Sequence, residues 1–258
     1  MERPTVAVLG LGEAGSAIAA DLVAGGARVL AYDPQPRPVP AGVEPRGSEA
    51  AVASEAAVVL SVNWASAALE AARNALPSLR PGALFAELNT AAPELKRRVA
   101  EVVAGSGAAF ADVALMAPVP GRGIRTPMCV SGDGAAAFAA LVRGFGTPVE
   151  VLSPTPGDAA RKKLVRSVFM KGFGAVIVEA LAAARAAGLE EWMEGQIQEL
   201  FASPGEVRRF EEGTRKHARR RLHEMEAALD VLAELGVPAP ATEGTVASLR
   251  RLVEEENA

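Results

Sequence analysis

Two sets of residues have types and spacing that could do chemistry. Gly10, Gly12 and Gly15 stand in G-x-G-x-x-G order near the start of the chain, and Asp33 follows downstream. In such a turn one glycine allows the bend, one lets the backbone approach a pyrophosphate, and one lets helix and strand pack closely. A carboxylate at the end of the second strand accepts hydrogen bonds from an adenosine ribose. The second set is Lys163, Ser167 and Lys171, at i, i+4 and i+8. A lysine on such a stripe acts as general acid or base if its surroundings lower its pKa. The plainer reading is a solvated face, because Arg161, Lys162 and Arg166 make the same stretch basic.

The glycines need a strand before them and a helix after them. Val6 to Leu9 is a short apolar, β-branched run that suits a buried strand. Ser16 to Ala24 reads as a helix with Ile18 and Leu22 on one face, ended by Gly25 and Gly26, and Arg28 to Tyr32 is a second strand. The loop Gly10, Leu11, Gly12, Glu13, Ala14, Gly15 then offers free N–H groups and a positive dipole end to phosphates. The motif is common by itself, and its alternative is an α/β turn that binds nothing. Here strand, glycines, helix, strand and acid arrive in order, as dinucleotide binding requires. Asp33 favours NAD, because a carboxylate accepts from a 2′-hydroxyl and repels a 2′-phosphate. Arg37 keeps NADP open.

Further strands are expected at Val58–Val62, Ala83–Leu88, Ala109–Ala114, Met128–Ser131 and Val149–Leu152. Helices are expected at Ala65–Ala75, Pro93–Ala104 and Ala135–Phe145, and the proline-rich stretch Pro34–Pro45 reads as a loop. Alternating strands and helices predict a parallel, doubly wound Rossmann sheet over residues 1–153. Ligands bind beyond the carboxyl ends of such strands, where Asp33, Asn63, Asn89 and Thr90 stand. Past Pro154, Pro156 and Gly157 the period becomes helical, which predicts an all-α domain over 154–258. Ala159–Ala187 reads as one helix of roughly 43 Å. Glu190–Phe201, a stretch opened by the capping box Ser203-Pro-Gly-Glu206, and Thr242–Glu255 follow.

Composition narrows the class. Net charge is −4 and aromatics are 4% of the 258 residues, which gives no support for a nucleic-acid partner. Cys129 is the sole cysteine, so no internal disulfide forms and a reducing compartment fits. The chain enters its first strand at once, so no signal peptide is expected. No apolar run is long enough to span a bilayer. Together these predict a cytoplasmic protein. No His/Cys/Asp cluster has metal spacing, and no G-x-S-x-G elbow supports a serine triad.

Gly10-Leu-Gly-Glu-Ala-Gly15, Ala117-Pro-Val-Pro-Gly121 and Gly157-Asp-Ala-Ala-Arg-Lys-Lys163 occur in that order. Together they resemble the β-hydroxyacid dehydrogenase superfamily, which includes 3-hydroxyisobutyrate and 6-phosphogluconate dehydrogenases. The C-terminal half resembles a branch whose helical domain has unknown function. The resemblance implies hydride transfer between a nicotinamide and a small, anionic hydroxy or keto substrate, with Lys163 as general acid/base and Ser167 orienting the substrate. It also implies that the loop with Val119, Pro120, Gly121 and Arg122 holds the substrate's anionic group through backbone N–H groups; the Arg122 side chain itself reads either as a bidentate clamp or as an exposed loop arginine. Lys171 and His223 join the substrate-binding set. Ser167 stands where the family has asparagine, and Pro120 and Arg122 where it has serine and a second glycine. The family's late K-D-L falls on His223, Glu224 and Met225. These departures keep an imine reductase-like enzyme as the alternative, and a non-catalytic dinucleotide-binding redox sensor as the second class. The long helix and the family's habit predict a homodimer through the helical domain.

Overall fold

The computed structural model describes residues 4–200, 213–216, 218–219, 222, 225, 229, 232–233 and 236–256. It divides into two compact units, residues 1–166 and 167–258.

The first unit holds one sheet of β1 (Thr5–Leu9), β2 (Arg28–Tyr32), β3 (Val43–Pro45), β4 (Val58–Ser61), β5 (Leu84–Glu87), β6 (Ala109–Leu115), β7 (Met128–Ser131) and β8 (Val149–Val151). Their order across the sheet is β3-β2-β1-β4-β5-β6-β7-β8. Alternate residues of each central strand feed opposite layers, so both faces are buried and the strands read as continuous apolar runs. Val6 and Val8 pack with Ile18 and Leu22 of α1 (Glu13–Ala24) and with Phe138 and Val142 of α5 (Ala135–Arg143). Ala7, Leu9 and Phe85 face α2 (Glu49–Glu55), α3 (Ala68–Ala75) and α4 (Pro93–Ala104) through Val52, Ala72 and Val99.

All neighbouring strands are parallel except β6 and β7, which pair antiparallel. The sheet is thus parallel-dominated, as the alternation predicts, with one antiparallel pair. The reason is the connection: residues 116–127 hold only a short 3₁₀ turn, Gly123–Arg125. A parallel pair needs a crossover of a dozen or more residues, usually a helix. Two elements escaped the sequence reading. β3 lies in the proline-rich stretch read as loop, and Pro45 is tolerated because β3 is an edge strand. α2 follows at once, with Ser48 capping it by accepting from the Ala51 N–H at 3.1 Å.

The boundary helix α6 runs Asp158–Ala186. The division between the compact units falls within α6, whose first turn packs on the sheet: Ala159 is buried with Ala114 and Cys129. The second unit continues with α7 (Glu190–Leu200) and α8 (Pro240–Glu256), and Val246 and Leu249 of α8 are buried with Leu222. Glu179 caps α8, accepting from the N–H groups of Ala241 at 2.7 Å and Thr242 at 2.8 Å. The capping box at Ser203–Glu206 lies outside the described residues. Among the described residues, no helix is long and apolar enough to cross a membrane, and no cluster of His, Cys, Asp or Glu could hold a metal ion.

Candidate active site

Each glycine of the first turn has a visible reason. Gly10 sits at φ 104°, and a Cβ there would lie 2.5 Å from the carbonyl oxygen of Val62. A Cβ on Gly15 would lie 1.9 Å from the Gly10 oxygen, so this glycine lets α1 pack on the strand. A Cβ on Gly12 would meet nothing within 4 Å. Gly12 is the N-cap of α1 and supplies no side-chain cap. The first N–H groups of α1 thus have no side-chain partner at the helix end best suited to an anion. Gly10, Gly12, Glu13 and Ala14 line a cavity of about 810 Å³ together with Asp33 and Asn63. Leu11 and Gly15 are buried behind the turn. An open helix start beside a cleft of this size fits a dinucleotide pyrophosphate.

Asp33 does more than face the cavity. Its Oδ2 accepts from the Leu11 N–H at 2.7 Å and its Oδ1 from the Gln35 N–H at 2.8 Å, which ties the glycine turn to the end of β2. Each carboxylate oxygen keeps capacity for a further donor. Arg37 lines the same cavity, and so does Trp64, which is 78% exposed. Asn63, past β4, accepts from Asn89 Nδ2 at 2.7 Å, so the ends of β4 and β5 are joined by two side-chain amides.

Thr90 follows Asn89, and its Oγ1 accepts from Lys163 Nζ at 2.6 Å. The lysine singled out by spacing thus meets a residue singled out by its place at a strand end. Lys162 turns elsewhere: its Nζ is 2.6 Å from Glu150, whose carboxylate holds the Lys162 ammonium above its ordinary range. Ser167 lies four residues on in α6, in the second unit. Lys171 lies in the same helix, with its side chain outside the described residues, and His223 is outside them altogether.

The substrate loop differs from expectation. The Val119 side chain is a core residue, packed among the apolar groups of the first layer. Its carbonyl accepts from the N–H groups of Arg122 at 2.9 Å and Gly123 at 2.8 Å. Asp21 of α1 accepts from the Ile124 N–H at 3.0 Å. The amides of Arg122 and Gly123 therefore close a turn and are not free for an anion. Pro120, Gly121 and the Arg122 side chain stay exposed, Gly121 at φ 76°.

Sequence reasoning missed a buried charged group nearby. Lys96 of α4, Glu87 at the end of β5 and Asp112 in β6 are all essentially inaccessible. Lys96 Nζ contacts the Glu87 carboxylate, donates to the Glu87 carbonyl at 2.8 Å, and lies 3.1 Å from Asp112 Oδ1. Burial pushes the Glu87 carboxyl up, against the lowering pull of Lys96 and the Asn89 N–H. The available signal was Asp112 itself, an acid inside the apolar run Ala109–Leu115 of a strand buried on both faces.

A model of the NAD-binding domain of 6-phosphogluconate dehydrogenase matches residues 5–125, and one of a domain of unknown function matches residues 184–252. No curated protein matches. Among solved structures, a conserved hypothetical protein from Sinorhizobium meliloti is 32% identical, with 96% of this chain and 88% of that one covered and a TM-score of 0.64. A conserved protein of unknown function, described as structurally similar to 3-hydroxyacid dehydrogenases, is 28% identical with 97% of each chain covered and a TM-score of 0.62. A reductive aminase from Aspergillus terreus, in complex with NADPH and ethyl-5-oxohexanoate, shares the fold at 20% identity, 98% and 95% coverage and a TM-score of 0.81. The chain belongs to the 6-phosphogluconate dehydrogenase-like superfamily, in the branch that carries a C-terminal domain of unknown function.

Proposed function

We propose that the protein is a NAD(P)-dependent oxidoreductase that reduces or oxidises a small, anionic hydroxy or keto substrate, with Lys163 as its general acid/base. The observation that carries this reading is the hydrogen bond of Lys163 Nζ to Thr90 Oγ1, beside the linked side chains of Asn89 and Asn63. A bound nicotinamide supplies or accepts the hydride. The start of α1 and Asp33 hold the dinucleotide. Lys163 gives a proton to the substrate oxygen in reduction and takes it back in oxidation. Thr90 fixes the direction of the amine, Ser167 orients the substrate, and the exposed Arg122 guanidinium pairs with its anionic group. Lys171 and His223 complete the substrate-binding set.

NAD is the preferred cofactor in this reading because Asp33 would repel a 2′-phosphate; Arg37 is the competing influence. A second reading, reduction of a C=N bond, draws on the reductive aminase fold and on the family residues replaced at Ser167, Pro120 and Arg122. The same lysine serves it, since an imine nitrogen also takes a proton. Exposed apolar side chains in the second unit, Phe169, Val176, Leu189 and Trp192, support a homodimer through the helical domain.

The test is a panel of hydroxyacids, ketoacids and cyclic imines with NADH, NADPH and their oxidised forms, followed by nicotinamide absorbance. Turnover of a hydroxy or keto acid with tighter NADH binding is expected. Turnover of imines alone selects the second reading. Cofactor binding without turnover of any substrate would select a non-catalytic sensor.

A further inference from the structure

The buried group Glu87, Lys96 and Asp112 reaches two structural pieces that carry the proposed chemistry. On one side is the turn after β5. Glu87 Oε1 accepts from the Asn89 N–H at 3.1 Å, and Lys96 holds both the carboxylate and the carbonyl of Glu87. This fixes the backbone that leads into Thr90.

On the other side is the start of α6. Asp112 Oδ2 accepts from the N–H groups of Gly157 at 3.0 Å and Ala160 at 3.1 Å, and from Ser131 Oγ at 3.2 Å. Ser131 Oγ in turn accepts from the Ala159 N–H at 3.0 Å. Two sheet residues thus cap the helix in place of a local N-cap, with a carboxylate at the end where a negative charge is favoured. Lys163 lies one turn beyond Ala160. The start of α4 closes the arrangement, since a Cβ on Gly157 would lie 3.0 Å from the Pro93 carbonyl oxygen.

We propose that Lys96 is a positioning residue: by joining Glu87 to Asp112 it holds the Thr90 turn against the first turn of α6 and so sets the Lys163–Thr90 hydrogen bond. Its catalytic consequence rests on the reading of Lys163 as the acid/base. A burial role alone would not call for this composition, because a buried ion group is often replaced by apolar residues without loss of stability. Here each end of the group instead holds backbone N–H groups that apolar side chains could not satisfy.

The experiment is trace acetylation with acetic anhydride across a range of pH, read at Lys163 and Lys162 by peptide mass spectrometry. Wild type is compared with Thr90→Val, Lys96→Met, Asp112→Asn and the double variant Thr90→Val/Lys96→Met. Thr90→Val should raise the labelling rate of Lys163 several-fold, the scale of one lost hydrogen bond. Lys96→Met and Asp112→Asn should do the same and shift the pH profile of Lys163 alike. The double variant should exceed Thr90→Val by little, and Lys162, paired with Glu150, should stay unchanged throughout. Asp112→Asn keeps an acceptor for Gly157 and Ala160, so it decides the matter if Lys96→Met does not fold. Wild-type labelling and pH profile at Lys163 in a folded Asp112→Asn or Lys96→Met protein would overturn the proposal, as would additive effects in the double variant. These readouts need no substrate. If Lys163→Met retained turnover, the acid/base reading would fail while the positioning result stood.

Discussion

Gly157 shows what a single residue does for the site. It stands at φ 99°, where an L side chain is strained, and a Cβ there would sit tightly against Pro93, 3.0 Å from its carbonyl oxygen. Gly157→Ala should cost about 1–3 kcal/mol of stability from backbone strain, with a larger loss if Pro93 does not yield. Urea midpoints would measure it, and an unchanged midpoint would contradict the account. The same substitution should lower kcat more than it weakens cofactor binding, because it moves the start of α6 and leaves the glycine turn alone. The spacing from Gly157 to Lys163 was legible in the sequence, as was the place of Thr90 at a strand end. Their meeting was not, since nothing in local spacing says that β5 and α6 converge. Lys96 was illegible for a different reason. A lysine on a helix is ordinarily solvated, and only the fold reveals two carboxylates waiting on the strands beneath it.

At the scale of elements, the alternation of apolar strands with amphipathic helices made the sheet and most of its helices legible. β7 was found but not its direction, because direction depends on what the connecting loop fails to form. β3 was hidden by prolines, which exclude a central strand but not an edge. That edge is fastened by charge: Arg28 of β2 lies 2.8 Å from Glu44 of β3 and 3.0 Å from Glu55 of α2, and Arg46 contacts both acids. Hydrogen bonds from Arg28 and Arg46 hold the Glu44 carboxyl down to about 2, and those from Arg46 and Arg28 do the same for Glu55. A carboxylate with a lowered folded pKa stabilises the fold above its unfolded pKa, near 4.5, and loses that contribution as pH falls through about 2. Glu44→Gln should therefore lower the urea midpoint at pH 7, and the difference should shrink as pH falls from about 4.5 towards 2. These groups are exposed, so the difference at pH 7 should be small and should shrink with added salt. An effect of undiminished size at pH 2 would contradict the ion pair.

For the whole molecule, the division between the two compact units falls within the sequence of one helix, α6, which carries Lys163, Ser167 and Lys171. The change from alternating elements to helices alone was readable at the proline and glycine boundary. The burial of Ala159 under the sheet was not, because it depends on where the chain returns to β6 and β7. Light scattering at micromolar concentration should give a dimer, and a monomer would contradict the assembly proposed for the helical domain. Whether Lys163 carries the proton is read from kcat of Lys163→Met on a substrate the wild type turns over. Lys162→Met and Lys171→Met are the comparisons. Lys163→Met should lose on the order of 10²-fold or more with unchanged cofactor affinity, and Lys162→Met should keep near-wild-type turnover. Retention of most turnover by Lys163→Met, with its loss in Lys171→Met, would contradict it.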